Sequence, residues 1–229
     1  NRTRAILVVH IYGMSVNMKK IMQIKKKYNL KIIEDNSEGL GLDYDGKKCG
    51  SFADITTLSF YANKIVTTGE GGMVLCNKKS IYKRCLSIKN LFFKEPRFVH
   101  DEIGSNFRLT NLQAALGLAQ LETIKKSIKR KIEIGKIYNK LLEKISCINT
   151  PVKKNRYSEN IYWVYGIVLN NKCKLSKKIV MQKLKNQNIE TRPFFSPMHT
   201  QPVYKKMGLF KGLKFKNSEM IYKKGFYLP

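Results

Sequence analysis

Long apolar runs are missing from this 229-residue chain, and no stretch approaches the ~20 residues that a membrane-spanning helix requires. Acidic residues are scarce too: 16 Asp and Glu stand against 44 Lys and Arg, a formal net charge of +28. Such an excess can mark a nucleic-acid binder. Here lysine is scattered through the whole sequence among many Ile and Asn, as a chain-wide compositional bias would leave it. Solvated surface is therefore its expected use, and nucleic acid is not an expected partner. The five cysteines, Cys49, Cys76, Cys85, Cys147 and Cys173, form no CxxC pair, and none has a histidine at ligand spacing. No metal site is expected, and reduced thiols in the cytoplasm are the default. No signal-peptide pattern precedes the first strand. The sequence opens at Asn1 and stops in "KGFYLP", the apparent opening of another element, so a fragment cut at both ends is expected. What is present is a globular composition, 43% hydrophobic and 10% aromatic.

The pattern along the chain is α/β. "RAILVVHIYG" is an apolar strand ending in Gly13, "VNMKKIMQIKKKYN" a helix with Asn29 as its stop, and "LKIIEDN" a second buried-type strand. Strand, helix, strand with short connections favours a parallel sheet. "DYDGKKCGSFAD" reads as a hairpin with Asp45-Gly46 at its tip. "ITTLSFYA" and "GGMVLCN" are further strands, and "KKSIYKRCLSIKNLFF" is a helix. One long helix is expected from Thr110, its N-cap, to about Lys144. After Pro151, the strand "ENIYWVYGIVL", the helix "SKKIVMQKLKNQ" and the strand "IETRPFF" form a second, smaller α/β unit.

In "LSFYANKIVTTGEGGMVL", Lys64 follows an aromatic-rich strand in surroundings poor in other charge. A solvated lysine needs no such setting, whereas a nucleophilic amine does, because a desolvated ammonium loses its proton more readily. Ligands of open α/β sheets gather beyond the carboxyl ends of the strands. Asp35 leaves a buried strand at such an end, with Glu38 three residues on. A carboxylate and a lysine converging on one crevice are what pyridoxal phosphate requires. A buried Asp–Lys ion pair is the competing reading. The glycines Gly69, Gly71 and Gly72 read as a tight turn, His10 as a structural histidine, His100 as surface, and the aromatics of "IYWVYGIVL" as core.

"IIEDNSEGLG", "GSFADITTLSFYANKIVTTGEGGMVLCN", "DEIGSNFRLTNLQAALGLAQLE" and "IETRPFFSPMH" together resemble the DegT/DnrJ-type nucleotide-sugar aminotransferases, nearest their perosamine-synthase branch. The resemblance runs from about Arg4 to Pro229. It implies the aspartate-aminotransferase fold (PLP-dependent transferase fold type I): residues 1–125 as the C-terminal part of the large, mostly parallel-sheet domain, and 126–229 as a linking helix and a small C-terminal α/β domain. It also implies that the family's N-terminal third is missing. The implied activity moves an amino group from L-glutamate to the keto carbon, C4, of a nucleotide-linked 4-keto-6-deoxyhexose, for polysaccharide biosynthesis. The alternative is a catalytically inactive sensor that keeps the fold and the cofactor.

By the same resemblance, Lys64 carries the cofactor and moves the proton, Asp35 pairs with the pyridinium nitrogen, and Glu38 lies near the ring's phenolic oxygen. Ser59 would hold the phosphate, and Asn106 the phosphate of a neighbouring subunit, in a homodimer with shared active sites. Arg192 and His199 would line the substrate side. Some relatives carry histidine in place of the lysine and dehydrate instead; Lys64 argues against that chemistry. Where the family has "EDAAEA" or "EDCAQA" this chain has "EDNSEG", which places polar or flexible residues Asn36, Ser37 and Gly39 beside the cofactor.

Overall fold

Strands β1 (Ala5–Val9) and β2 (Lys31–Asp35) pair in parallel, with Val9 opposite Asp35, and α1 (Met18–Tyr28) is the crossover between them. Asn17 starts α1 by accepting the Lys20 N–H (3.1 Å), and Asn29 ends it in the left-handed conformation at φ 49°. The computed structural model describes residues 2–229. By their contacts these divide into two units: one takes residues up to Ile132 together with Lys154–Trp163, the other Glu133–Lys153 with Val164–Pro229.

In the first unit, β3 (Asp43–Tyr44) and β4 (Lys47–Lys48) form the hairpin expected at Asp45-Gly46, both turn residues having positive φ. β5 (Ile55–Ser59) adds to β2 in parallel, and β6 (Gly72–Cys76) closes the edge antiparallel, giving a mixed sheet of order β1-β2-β5-β6. Then come α2 (Lys79–Lys89), a small hairpin of β7 (Phe93–Lys94) and β8 (Val99–His100), α3 (Asn111–Glu122) and α4 (Ile124–Leu142). The single helix expected over 110–144 is thus two. Thr123 adopts φ −103°, ψ 5°, and its hydroxyl bonds back to the Gln120 carbonyl (3.2 Å). Its own carbonyl accepts the first bonds of α4, from Lys126 and Ser127. A β-branched residue bonding locally competes with the helix ladder, and here it resets it. The core gathers Val8, Met18, Ile32, Leu42, Tyr44, Cys49 and Ile161, with Ile128 and Ile132 of α4 packed on it.

The second unit is built on an antiparallel sheet of order β11-β12-β10-β9, from β9 (Ile148–Asn149), β10 (Tyr165–Leu169), β11 (Arg192–Pro193) and β12 (Gly225–Leu228). Its helices are α5 (Lys177–Lys185), α6 (Pro202–Lys206) and α7 (Lys216–Lys224). Tyr165, Ile167, Leu169, Phe194 and Phe226 are buried in it, and the Tyr165 hydroxyl donates to Asn139 Oδ1 (2.9 Å). Two expected strands are shorter than their apolar patterns. "ENIYWVYGIVL" is extended only from Tyr165, because the Asn160 side chain accepts the Tyr162 N–H (2.7 Å) and Tyr162 turns at φ 50°. "IETRPFF" pairs only at Arg192–Pro193, an edge strand where proline's missing N–H costs no ladder bond. Among the described residues no helix is long and apolar enough to cross a membrane.

Glu34, in the first unit, is a buried charge with no solvent exposure. It accepts from His10 Nε2 (2.8 Å) and from the backbone N–H groups of Gly50 and Phe52. His10 Nδ1 accepts the Val16 N–H, so Nε2 carries the proton given to Glu34. Burial pushes the Glu34 carboxyl upward, but the bonds from His10 and Gly50 outweigh it and hold it below the ordinary 4.5. A depressed carboxylate contributes stability in full above its unfolded value and loses it as pH falls through the folded one. Glu34→Ala should therefore cost at least about 3 kcal/mol at pH 7, since three donors lose their acceptor at about 1–3 kcal/mol each. In denaturant titrations the gap to the unaltered protein should narrow below about pH 4. A substitution that costs under about 1 kcal/mol would show that this network does not hold the fold.

Candidate active site

The carboxyl ends of β1, β2 and β5 meet at one edge of the sheet, and the chemistry lies just beyond it. β1 ends in a turn, Ile11–Gly13, in which Tyr12 takes φ 56° and Gly13 φ 86°. A Cβ on Gly13 would come within 2.8 Å of the Trp163 backbone nitrogen, so only glycine lets these segments touch. The Tyr12 N–H donates to Glu38 Oε2 (2.6 Å). Asp35, the last residue of β2, is half-buried; its Oδ1 accepts the Ser37 N–H (3.0 Å), and no protein group engages Oδ2 among the described residues.

Lys64 sits in the loop after β5, and helix α3 clamps that loop. The Gln120 side chain accepts the Thr67 N–H (3.1 Å) and donates to the Thr67 carbonyl (2.8 Å), while Gln113 donates to the Glu70 carbonyl (3.2 Å). The Lys64 ammonium lies 4.1 Å from the centre of the Trp163 ring, and among the described residues it makes neither an ion pair nor a hydrogen bond. The ion-pair reading of Asp35 and Lys64 is therefore not what the structure contains; both groups are close enough to interact electrostatically, and neither is spent on the other.

Burial pushes Lys64 below its ordinary value, and the charges of Glu38 and Asp35 only partly restore it. Glu38 is pushed up, mainly by burial, with the Tyr12 N–H and Lys64 opposing and Asp35 adding. An acid raised and a base lowered narrow the gap across which a proton would pass between them.

Ser59 ends β5 on the same edge, half-buried, its Oγ accepting the Tyr61 N–H (3.4 Å). Asn106 is exposed, bridged to Asn90, and its Oδ1 accepts from Arg108 Nε (2.9 Å). Arg192 and His199 belong to the second unit. Arg192 is exposed on β11, while His199 Nε2 bonds Glu219 Oε1 (2.9 Å) with its ring edge-on to Phe215 at 4.8 Å.

The model of the DegT/DnrJ/EryC1/StrS aminotransferase family matches residues 1–229. The chain belongs to this family. It is 43% identical over 206 residues to the GDP-perosamine synthase of Escherichia coli O157:H7, covering 89% of this chain and 55% of that protein. To the GDP-perosamine synthase of Vibrio cholerae it is 37% identical over 221 residues, 95% of this chain and 59% of that one. The solved structure of Helicobacter pylori PseC, an aminotransferase involved in the biosynthesis of pseudoaminic acid, superposes with a TM-score of 0.91 at 28% identity. That match takes in 100% of this chain and 62% of PseC. The chain thus spans between half and two thirds of the length of these relatives, and its architecture is that portion of the fold type I transferases.

Against the family pattern, the "EDNSEG" departure has a structural reason. Asn36 is 2% exposed and turns inward, donating to the Cys49 carbonyl (3.0 Å). Its Oδ1 lies where a Cβ on residue 39 would be, 2.2 Å away, so Asn36 and Gly39 are one coupled change. His10, Glu34 and Cys49 bring possible metal-ligand atoms within 4.8 Å of one another. Their donors and acceptors are already used in the network around Glu34, and burial pushes the Cys49 thiol up to about 11, which keeps it protonated. Sequence reasoning missed Tyr12, Gln120 and Trp163. The aromatics of "IYWVYGIVL" read as core, and Trp163 is indeed buried, yet it is packed against Lys64 rather than in a sheet. Only its being the single tryptophan set it apart.

The raised Glu38 carries a stability consequence. A carboxyl whose folded value lies above its unfolded one stabilises the fold below that unfolded value and loses the contribution as pH rises through the folded value. At pH 7 the ionised form is therefore a burden. Glu38→Gln, whose amide oxygen can still accept from Tyr12, should leave melting at pH 7 unchanged or raised, the difference vanishing towards pH 4. Calorimetry across pH checks this; a clear loss of stability at pH 7 would contradict the raised value.

Proposed function

We propose that the full-length protein is a pyridoxal-phosphate-dependent aminotransferase that takes an amino group from L-glutamate and delivers it to C4 of a nucleotide-linked 4-keto-6-deoxyhexose. The observation that carries this reading is the state of Lys64: desolvated, unpaired, beside a raised carboxyl, and next to an aspartate with one oxygen unengaged. These two unspent groups suit a cofactor that presents an aldehyde to an amine and a ring nitrogen to a carboxylate. When bound, the cofactor supplies an electron sink for the carbon that exchanges its amino group.

In this reading the Lys64 amine attaches the cofactor and afterwards shuttles the proton between donor and acceptor carbons. Asp35 holds the proton on the ring nitrogen; Glu38, fixed by the Tyr12 N–H, faces the reacting side and exchanges protons with Lys64. Ser59, whose hydroxyl hydrogen remains available, donates to the phosphate. Asn106 would reach the phosphate of a neighbouring subunit, and Arg192 and His199 the sugar nucleotide. A homodimer accords with α3 and its approach, where Phe107, Leu112 and Leu118 are 72%, 86% and 61% exposed. The first unit would be the C-terminal part of the cofactor-binding domain and the second the small domain, in a cytoplasmic enzyme of polysaccharide biosynthesis. The GDP-perosamine synthases among the relatives support a nucleotide-linked sugar as the substrate class.

Incubating the full-length protein with pyridoxal phosphate and reducing with borohydride should fix the label on Lys64 by peptide mapping; a label elsewhere, or none, overturns the assignment. Asp35→Asn should retain that label and the melting temperature. It should also slow the conversion of bound cofactor to its amine form by glutamate about a hundredfold, the equivalent of about 3 kcal/mol for a desolvated charge-assisted bond. Binding without any conversion in the unaltered protein would mark a sensor instead of an enzyme.

A further inference from the structure

Trp163 is 3% exposed and held on several sides. Its carbonyl accepts from Lys131 Nζ (2.8 Å), and its backbone nitrogen is packed against Gly13, whose carbonyl takes the Ile161 N–H (3.1 Å). Its ring lies parallel to that of Tyr12, within 6° and 6.2 Å between centroids, and Tyr12 is the residue whose N–H fixes Glu38. Two of its contacts reach the lysine loop: Nε1 donates to the Asn63 carbonyl (3.2 Å), the peptide next to Lys64, and the ring face lies 4.1 Å from Lys64 Nζ. One indole thus grips the backbone beside the lysine and the far end of its side chain.

We propose that Trp163 is a positioning residue for Lys64. Its N–H fixes the Asn63–Lys64 peptide, and its ring holds the free amine within electrostatic reach of Glu38 and Asp35. The proposal rests on the reading of Lys64 as the reactive amine, and it adds that the amine's placement is set by an aromatic face rather than by an ion pair. The face also acts on protonation. An aromatic quadrupole favours the ammonium, whereas the burial that the ring contributes disfavours it. The charged groups facing Lys64 are Glu38 and Asp35, and both favour the ammonium.

The test uses full-length protein treated with hydroxylamine, so that any carbonyl on the lysine is released. Reductive methylation with formaldehyde and cyanoborohydride, followed by peptide mapping, reads the reactivity of Lys64 against pH without involving the cofactor. Trp163→Phe keeps a ring face and should keep the midpoint of that profile within a few tenths of a unit. Trp163→Leu keeps apolar bulk but removes the quadrupole, and should move the midpoint down by about half a unit to one unit. It should also slow cofactor capture by Lys64 at least tenfold, since the amine is no longer held in place. Superimposable profiles and capture rates for Leu and the unaltered protein would overturn the proposal. Should the Leu variant not fold, the emission of Trp163 gives a second measurement. The difference titration between unaltered protein and Lys64→Met should show one transition at the midpoint found by methylation, because a neighbouring ammonium quenches indole and a neutral amine does so less. A flat difference overturns the proposal as well. If Lys64 shows the Trp163 dependence yet never captures pyridoxal phosphate, the positioning stands and the aminotransferase reading falls.

Discussion

A single buried carboxylate sets the frame on which the site is hung. Glu34 gathers the end of β1 through His10 and the turn after β4 through the Gly50 and Phe52 amides. Without it, those N–H groups would be buried and unpaired, each costing about 1–3 kcal/mol. Strand alternation does the rest. Residues that follow one another on β2 face opposite sides, so fixing Glu34 inward turns Asp35 the other way, at the carboxyl end of the strand. The inward member supplies rigidity, and the outward one keeps an oxygen unspent.

Much of this was legible in the residues. The βαβ opening, the Asp45-Gly46 hairpin and the strand leading to Lys64 follow from period, turn chemistry and length, and the structure contains them. His10 was legible as structural, and it bonds Glu34 with no exposure. The failures share a cause. The break at Thr123 and the truncated strand before Tyr165 both arise where a side chain bonds its own backbone: Thr123 to Gln120, Asn160 to Tyr162. Apolar periodicity does not register such bonds, since neither changes the hydrophobic pattern. The inward bond of Asn36 was not legible either: it satisfies the Cys49 carbonyl in the interior and requires Gly39 to make room.

The site is built against the interests of the fold. Glu38 would be more stable neutral, and Lys64 would be more stable in water; each is held where its charged form is disfavoured. Such strain persists only where the surroundings over-determine it. Here the constraints are countable: the Gln120 and Gln113 side chains on the lysine loop, the Tyr12 amide on Glu38, and Trp163 between the two. Tyr12, whose amide holds Glu38, itself takes a positive φ of 56°.

Trp163 also explains why sequence reading stops short of the site. The residue lies 100 positions from Asn63, and the chain between them leaves the first unit for Glu133–Lys153 before returning at Lys154. No window of local pattern spans that distance. Thermodynamically the detour is tolerable, because closure entropy grows only with the logarithm of length; going from ten residues to a hundred adds about 2 kcal/mol. The bonds made on return are of comparable worth at about 1 kcal/mol each: Ile161 to Gly13, Lys131 to the Trp163 carbonyl, and the indole to Asn63. The balance is close, and that closeness has a consequence for chemistry. The indole packed against Lys64 is secured by long-range contacts of modest strength, so the lysine's setting is complete only when the whole first unit is. A locally folded sheet would display Asp35, Ser59 and Lys64 yet lack the aromatic face against the amine.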